Sequence, residues 1–330
     1  MKKIAINGFG RIGRLVFRQI IKDKNFQVVA INDLTAPNVL AHLLKYDSAQ
    51  GKFNLPVEVG ENLLIVGGQK IAVFSERDPE KLPWKKMGVD AVVESTGFFR
   101  SKEAAGKHLK AGAQKVLISA PGQGDMKTIV YGVNHQNLTS KDQIVSAASC
   151  TTNCLAPVVQ VLHEKFKITR GFMTTVHAYT ADQRLVDAPH SDLRRARAAA
   201  VNIVPTSTGA ASAIGLVIPE LKGRLDGIAM RVPIITGSVV DLVVELGKNV
   251  DSDQINQALQ AASSESFGYT EEPIVSSDVI GSLFGSILDA KLTQTIDVDG
   301  KRMHKLVAWY DNESSYVAQY VRSLKHLVNL

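Results

Sequence analysis

Apolar positions along this chain follow two rhythms. Residues 2–6 form a short apolar run that reads as a buried strand. Leu15, Val16, Ile20 and Ile21 then recur at helical spacing, and 26–31 is a second strand rich in Val and Ile. The α/β rhythm continues with an expected hairpin, 63–66 and 70–74, around Gly67-Gly68. Strands follow at 89–94, 115–119 and 144–147, with a helix over 102–111. A helical pattern starts inside Ser149–Cys154, because Leu155, Val158, Val159 and Leu162 are spaced for one face. The second half has another texture. Residues 171–179, 227–232, 239–246 and 304–310 read as longer strands, and the alternation in 239–246 predicts a sheet with one wet face. Residues 180–199 show no period and predict a long loop of the kind that is functional or interfacial. Thr206-Ser207-Thr208-Gly209-Ala210 is expected to open a small-residue helix, 253–262 is a further helix, and Val317, Tyr320, Val321, Leu324 and Val328 mark an amphipathic C-terminal helix.

The length, 330 residues, suggests two domains. The division expected is 1–149 and 150–312, with a helix at 313–330 returning to the first domain. The fold class is α/β: a Rossmann-type doubly wound sheet, then an α+β domain with a mostly antiparallel sheet. The net charge of +6 arises from scattered basic residues, which disfavours a nucleic-acid surface. The exception, Arg194-Arg195-Ala196-Arg197, is short and suits a phosphate. Two cysteines exclude a disulfide scaffold and fit a reducing compartment. The first apolar run is too short for a signal peptide and no run is long enough for a membrane span, so the expectation is a cytoplasmic protein without a membrane partner. No His/Cys spacing resembles a metal site.

Between the first strand and helix lies Gly8-Phe9-Gly10-Arg11-Ile12-Gly13, a G-x-G-x-x-G. Alone it is weak; here strand, glycine turn, helix, strand and the acid Asp33 stand in order. Glycines let the backbone approach a pyrophosphate, whose charge suits a helix N-terminus. Asp33 can accept from ribose hydroxyls and would repel a 2′-phosphate, and Leu34 and Thr35 offer no positive charge to accept one. The expected cofactor is NAD rather than NADP. Thr96 and Ser119, at strand ends, are either cofactor neighbours or ordinary turn hydroxyls; the sequence leaves both open.

Both cysteines lie in Ser149-Cys150-Thr151-Thr152-Asn153-Cys154. At a helix start Cys150 sits in the positive end of the dipole, which favours thiolate; the competing reading is an inert buried thiol. Cys154 reads as packing. A thiolate beside a nicotinamide can attack an aldehyde, and that chemistry needs a base. Of eight histidines, His177, near the end of an apolar strand, is the choice. His108, His135, His163 and His326 read as surface positions.

The Ser149–Cys154 signature resembles the active-site signature of phosphorylating glyceraldehyde-3-phosphate dehydrogenases. Six further stretches resemble the same family in order: 6–14, 31–34, 45–48, 75–79, 94–97 and 174–178. Residues 206–211 and 309–313 complete the series. The resemblance implies oxidation of glyceraldehyde 3-phosphate with NAD and inorganic phosphate, in a homotetramer. Cys150 would be the nucleophile and His177 its base. Arg11 and Ile12 would hold the pyrophosphate and Asp33 the ribose; Arg77 and Ser119 would line the adenine and nicotinamide ends; Asn312, near Tyr316, would orient the carboxamide. Thr180 and Arg231 would bind the substrate phosphate, and Ser149, Thr151, Thr208, Gly209 and Arg197 the attacking phosphate. Ser315, Ala181 and Ala188 depart from common family residues, and Ala188 softens the expected discrimination against NADP. An erythrose-4-phosphate dehydrogenase and a non-redox Cys/His thiol transferase are the rival enzymes.

Overall fold

A computed structural model describes all residues, 1–330. The chain forms two compact units, Met1–Ile129 with His135–Ala148 and Tyr320–Leu330, and Ser149–Gln319 with Val130–Asn134.

The first unit holds eight strands: β1 Lys2–Asn7, β2 Phe26–Asn32, β3 Val57–Gly60, β4 Leu63–Val66, β5 Gln69–Phe74, β6 Ala91–Glu94, β7 Lys115–Ile118 and β8 Ile144–Ser146. Their order is β3-β4-β5-β2-β1-β6-β7-β8. From β5 to β8 every neighbour is parallel, while β3, β4 and β5 form an antiparallel edge. Parallel strands covered on both faces must be apolar throughout, and all four residues of β6 are buried. Trp84, Val92, Val116 and Ile118 belong to one apolar cluster on this sheet. The helix Lys102–Lys110 looks polar in sequence, yet His108 is fully buried against Trp84 and Glu94, which corrects its reading as a surface residue. The C-terminal helix spans Ser314–Val328, and Tyr320 Oη donates to the Leu117 carbonyl at 2.5 Å.

The second unit carries β9 Ile168–Ala178, β10 Val204–Ser207, β11 Leu225–Val232, β12 Ser238–Leu246, β13 Phe267–Thr270, β14 Ser286–Val298 and β15 Lys301–Tyr310. The order is β10-β11-β9-β12-β15-β14-β13, antiparallel except for β11 with β9 and β13 with β14. Along β12, buried and partly exposed residues alternate, as the sequence predicts. The helix Cys150–Phe166 buries Leu155, Val158, Val159 and Leu162. The small-residue helix begins only at Ala210; Thr206 and Ser207 pair with Ala229 and Ile228 as the end of β10. No helix is long and apolar enough to cross a membrane.

Candidate active site and cofactor cleft

Cys150 is the first residue of its helix. Its N-cap, Ser149, accepts the Thr152 N–H at 3.2 Å, and no acidic residue occupies the first turn. Ala148, immediately before the cap, is buried and adopts a left-handed φ of 57°. This turn delivers the thiol of a partly exposed residue 3.3 Å from His177 Nε2. Strand register supplies the rest. His177 on β9 lies directly beside Arg231 on β11, and Val176 beside Val239 on β12. Tyr310, fully buried on β15, stands edge-on to the imidazole, its hydroxyl bonded to Thr151 Oγ1 (2.9 Å) and Thr175 Oγ1 (2.8 Å).

The imidazole is oriented by its other nitrogen. Nδ1 faces both the Ala178 carbonyl at 2.7 Å, which only accepts, and the Arg231 guanidinium, which only donates; with the proton on Nδ1, Nε2 presents its lone pair to the thiol. Arg231 Nη1 also donates to the Ala178 carbonyl, at 3.1 Å, and crowds Nδ1. Burial, then the Arg231 charge, push the imidazole down to about 3, so the ring is held neutral. Burial also raises the Cys150 thiol, opposed by Arg231, the Thr151 hydroxyl and the Thr151 and Cys150 N–H groups. The free site therefore holds a neutral thiol and a neutral base, with Arg231 and the helix start biased toward thiolate. Cys154 is different: buried, bonded to Ser286 Oγ and the Ala308 carbonyl, its thiol is pushed up to about 12 by desolvation. It is inert packing, as its sequence context suggests.

Around this pair, Thr180 N–H donates to Gln183 Oε1 at 3.3 Å, and Thr208 Oγ1 accepts from Ala210 N–H at 3.2 Å, just ahead of the helix that Gly209 caps. Arg197 does not join them. It pairs with Asp187 at 2.7 Å, both side chains more than half exposed. Arg195 takes the inner position: its guanidinium meets Asp182, reaches the Ser207 carbonyl at 3.3 Å, and its charge is felt by Arg231. The sequence offers three arginines in an aperiodic loop, and only the folded loop separates them. The Thr151 hydroxyl bonds the Tyr310 hydroxyl at 2.9 Å and lies 4.0 Å from Cys150 Sγ, and the Thr151 backbone N–H also faces the sulfur. Asn312 Oδ1 accepts from Gly237 N–H (3.1 Å) and Ser238 Oγ (2.9 Å), which fixes the amide so that it offers only its NH2. Tyr316 is buried, its hydroxyl raised by burial and by the Cys150 charge.

In the first unit a cleft of about 490 Å³ is lined by Asn7, Gly8, Gly10, Asp33, Arg77 and Thr96, together with Leu34, Phe98 and others. The glycine turn is sterically specified. A Cβ on Gly8 would lie 2.7 Å from the Ser95 and Thr96 backbone, and one on Gly13 would lie 2.1 Å from the Gly8 carbonyl. Gly10 faces open space, and the helix it caps, Arg11–Ile20, has no acidic residue in its first turn. Arg11 itself pairs with Asp47 at 2.7 Å. Asp33 Oδ2 accepts the Phe9 N–H (2.7 Å) and Oδ1 the Thr35 N–H (2.9 Å), so the carboxylate is fixed at the cleft. A helix start without an acidic residue, a bare glycine and an anchored acid fit a dinucleotide. Ser119, after β7, bonds through its N–H to the Glu94 carbonyl (2.9 Å) and lies outside the lining. Phe98 escaped sequence reasoning because an exposed apolar residue carries no motif.

Comparison with known proteins agrees with this chemistry. The model of the glyceraldehyde 3-phosphate dehydrogenase NAD binding domain matches residues 2–102, and that of the C-terminal domain matches 149–312. The chain belongs to the glyceraldehyde-3-phosphate dehydrogenase family. It is 57% identical to the glyceraldehyde-3-phosphate dehydrogenase of Clostridium pasteurianum over 332 residues, covering 100% of this chain and 99% of that protein. It is 58% identical to that of Streptococcus pyogenes over 331 residues, 99% and 98% of the two chains. Glyceraldehyde-3-phosphate dehydrogenase family membership agrees with the resemblance seen in the Ser149–Cys154 signature.

Proposed function

We propose that the protein oxidises D-glyceraldehyde 3-phosphate with NAD+ and inorganic phosphate to 1,3-bisphosphoglycerate. The observation that carries this reading is the 3.3 Å contact between Cys150 Sγ and a His177 ring oriented by the Ala178 carbonyl. Cys150 Sγ adds to the aldehyde carbon, and its proton passes through His177 Nε2 to the carbonyl oxygen, giving the thiohemiacetal hydroxyl. His177 then takes the hydroxyl proton of the thiohemiacetal as hydride leaves that carbon. NAD+, when bound, supplies the hydride acceptor. A Cys150 thioester remains, inorganic phosphate attacks its carbonyl, and the thiolate leaves. Thr180 and Arg231 hold the substrate phosphate. Ser149, Thr208, Gly209, Arg195 and the Thr151 N–H receive the second phosphate; guanidinium forks and neutral donors suit both. Arg11 and Ile12 take the pyrophosphate on backbone N–H groups, the glycines Gly8, Gly10 and Gly13 let the backbone approach it, and Asp33 takes the ribose. Arg77 and Thr96 line the same cleft, and Ser119, Asn312 and Tyr316 serve the nicotinamide.

The test is NADH formation with and without phosphate. With the phosphorylated triose and phosphate, turnover is sustained. Without phosphate, NADH stops near one equivalent per chain, because the thioester accumulates. Higher kcat/KM for erythrose 4-phosphate would move the reading to the sister dehydrogenase. Failure to bind NAD in calorimetry would return it to a thiol transferase.

The working form is a cytoplasmic homotetramer. Supporting it, the loop after β9 exposes large apolar residues: Leu185 and Leu193 are each 81% exposed and Val201 77%. Clustered exposure of this kind marks an interface. Sedimentation is expected to give four times the chain mass, and a monomer at micromolar concentration would end the reading.

A further inference from the structure

We propose that Glu94 is a positioning residue for the dinucleotide cleft, acting through Thr96 and through an Asn7–Asn32 relay. This rests on the placement of NAD in that cleft.

Register puts the parts together. Asn32, Asn7 and Glu94 are neighbours across the C-terminal ends of β2, β1 and β6. All three are buried, at the edge of a sheet that is otherwise apolar. Buried polar side chains in such a row are costly unless each is bonded. Here each is. Glu94 Oε1 accepts the Thr96 N–H (2.9 Å) and Thr96 Oγ1 (2.5 Å); Oε2 accepts Asn7 Nδ2 (2.6 Å) and His108 Nε2 (2.9 Å). Both oxygens of Glu94 are thus fully engaged.

The role of His108 follows from Trp84. An indole N–H can only donate, and Trp84 Nε1 lies 3.0 Å from His108 Nδ1. Nδ1 is therefore the acceptor, and Nε2 carries the proton that faces Glu94. The tautomer is set by a residue on the far side of the ring from the cleft.

From Glu94 the bonding runs outward to the lining. Thr96 Oγ1 accepts the Phe98 N–H at 3.1 Å. Asn7 Oδ1 accepts Asn32 Nδ2 at 2.7 Å. Asn32 in turn bonds the Glu76 carbonyl and N–H, each at 2.9 Å, just before Arg77. Asn7, Asn32, Glu76, Arg77, Thr96 and Phe98 all line the cleft. One carboxylate thus sets two of its walls.

Glu94→Gln in the full-length enzyme tests this. Asn7 Nδ2, His108 Nε2 and the Thr96 N–H are fixed donors, so either orientation of the amide sets its NH2 against one of them. The Kd for NAD by calorimetry is expected to rise about tenfold or more. At saturating NAD, kcat and the aldehyde KM should stay within about twofold, since no Cys150 contact changes. A role confined to stability would lower the melting temperature and leave Kd unchanged, which would overturn the proposal. Asp33→Ala separates the two readings: if it leaves Kd unchanged, the cleft is not the cofactor site; if it raises Kd and Glu94→Gln does not, the relay alone fails. Should Glu94→Gln not fold, Thr96→Val removes one link, and an unchanged Kd in that folded variant overturns the proposal. The 15N shifts of His108 should report the Nε2–H tautomer, and an Nδ1–H signature would contradict the assignment.

Discussion

Cys150→Ser is expected to abolish NADH production, by about 10⁴-fold or more, while NAD binds with unchanged affinity. The argument is chemical. A serine fits the first turn of the helix, and the Ser149 cap does not depend on sulfur. The hydroxyl is a far weaker acid than the thiol, and this site already raises the thiol by burial. Arg231, the Thr151 N–H and the helix start bias the thiol toward its anion; they fall well short of ionising an alcohol. His177 could still orient the hydroxyl, but a serine ester would accumulate slowly or not form. The cofactor cleft contains no Cys150 contact, so calorimetry with NAD should give a Kd within about twofold. A variant that kept full turnover would remove the thiol from the chemistry.

His177→Asn is expected to lower kcat about 10²- to 10⁴-fold and to move the alkylation profile of Cys150 to higher pH. Asparagine can replace the bond to the Ala178 carbonyl but cannot take a proton. In the parent site the imidazole is held down to about 3, by burial first and Arg231 second. Its basic form is therefore present across the neutral range, and what it lacks is strength. A phosphate paired with the Arg231 guanidinium offsets that charge and raises the imidazole toward its ordinary range, so the base strengthens as substrate docks. The parent alkylation profile should accordingly respond to added phosphate, and the Asn variant should respond less. Iodoacetamide rates against pH, with and without phosphate, decide this. An Asn profile that overlays the parent would take the base role from His177.

The sequence made some parts of this molecule easy to read and hid others. The cofactor fold was legible because glycines, apolar runs and an acid follow one another at short range, and each has a local steric or hydrogen-bonding reason. Cys150 and His177 were legible as types. Their meeting depends on the register of β9 and on the turn before the helix, and the family resemblance stood in for that information. The sequence did not separate Arg195 from Arg197, since two arginines in one aperiodic loop differ only in which carboxylate each finds. His108 was misread because Lys102–Lys110 looks solvated, and its partners, Trp84 and Glu94, belong to other elements. β14 went unassigned: its second half, Lys291 to Val298, is polar or exposed at most positions and has no apolar run.

Ala148 has a consequence for how variants of this enzyme are interpreted. A non-glycine residue held in the left-handed region stores roughly 1 kcal/mol or more of strain, and this one is buried. Glycine would relax it, whereas a β-branched residue would have to leave that conformation and drag the following Ser149 and Cys150 with it. The address of the sulfur is thus written in one pair of backbone angles. Damage to the enzyme can begin at a small, chemically silent side chain that touches neither substrate nor cofactor.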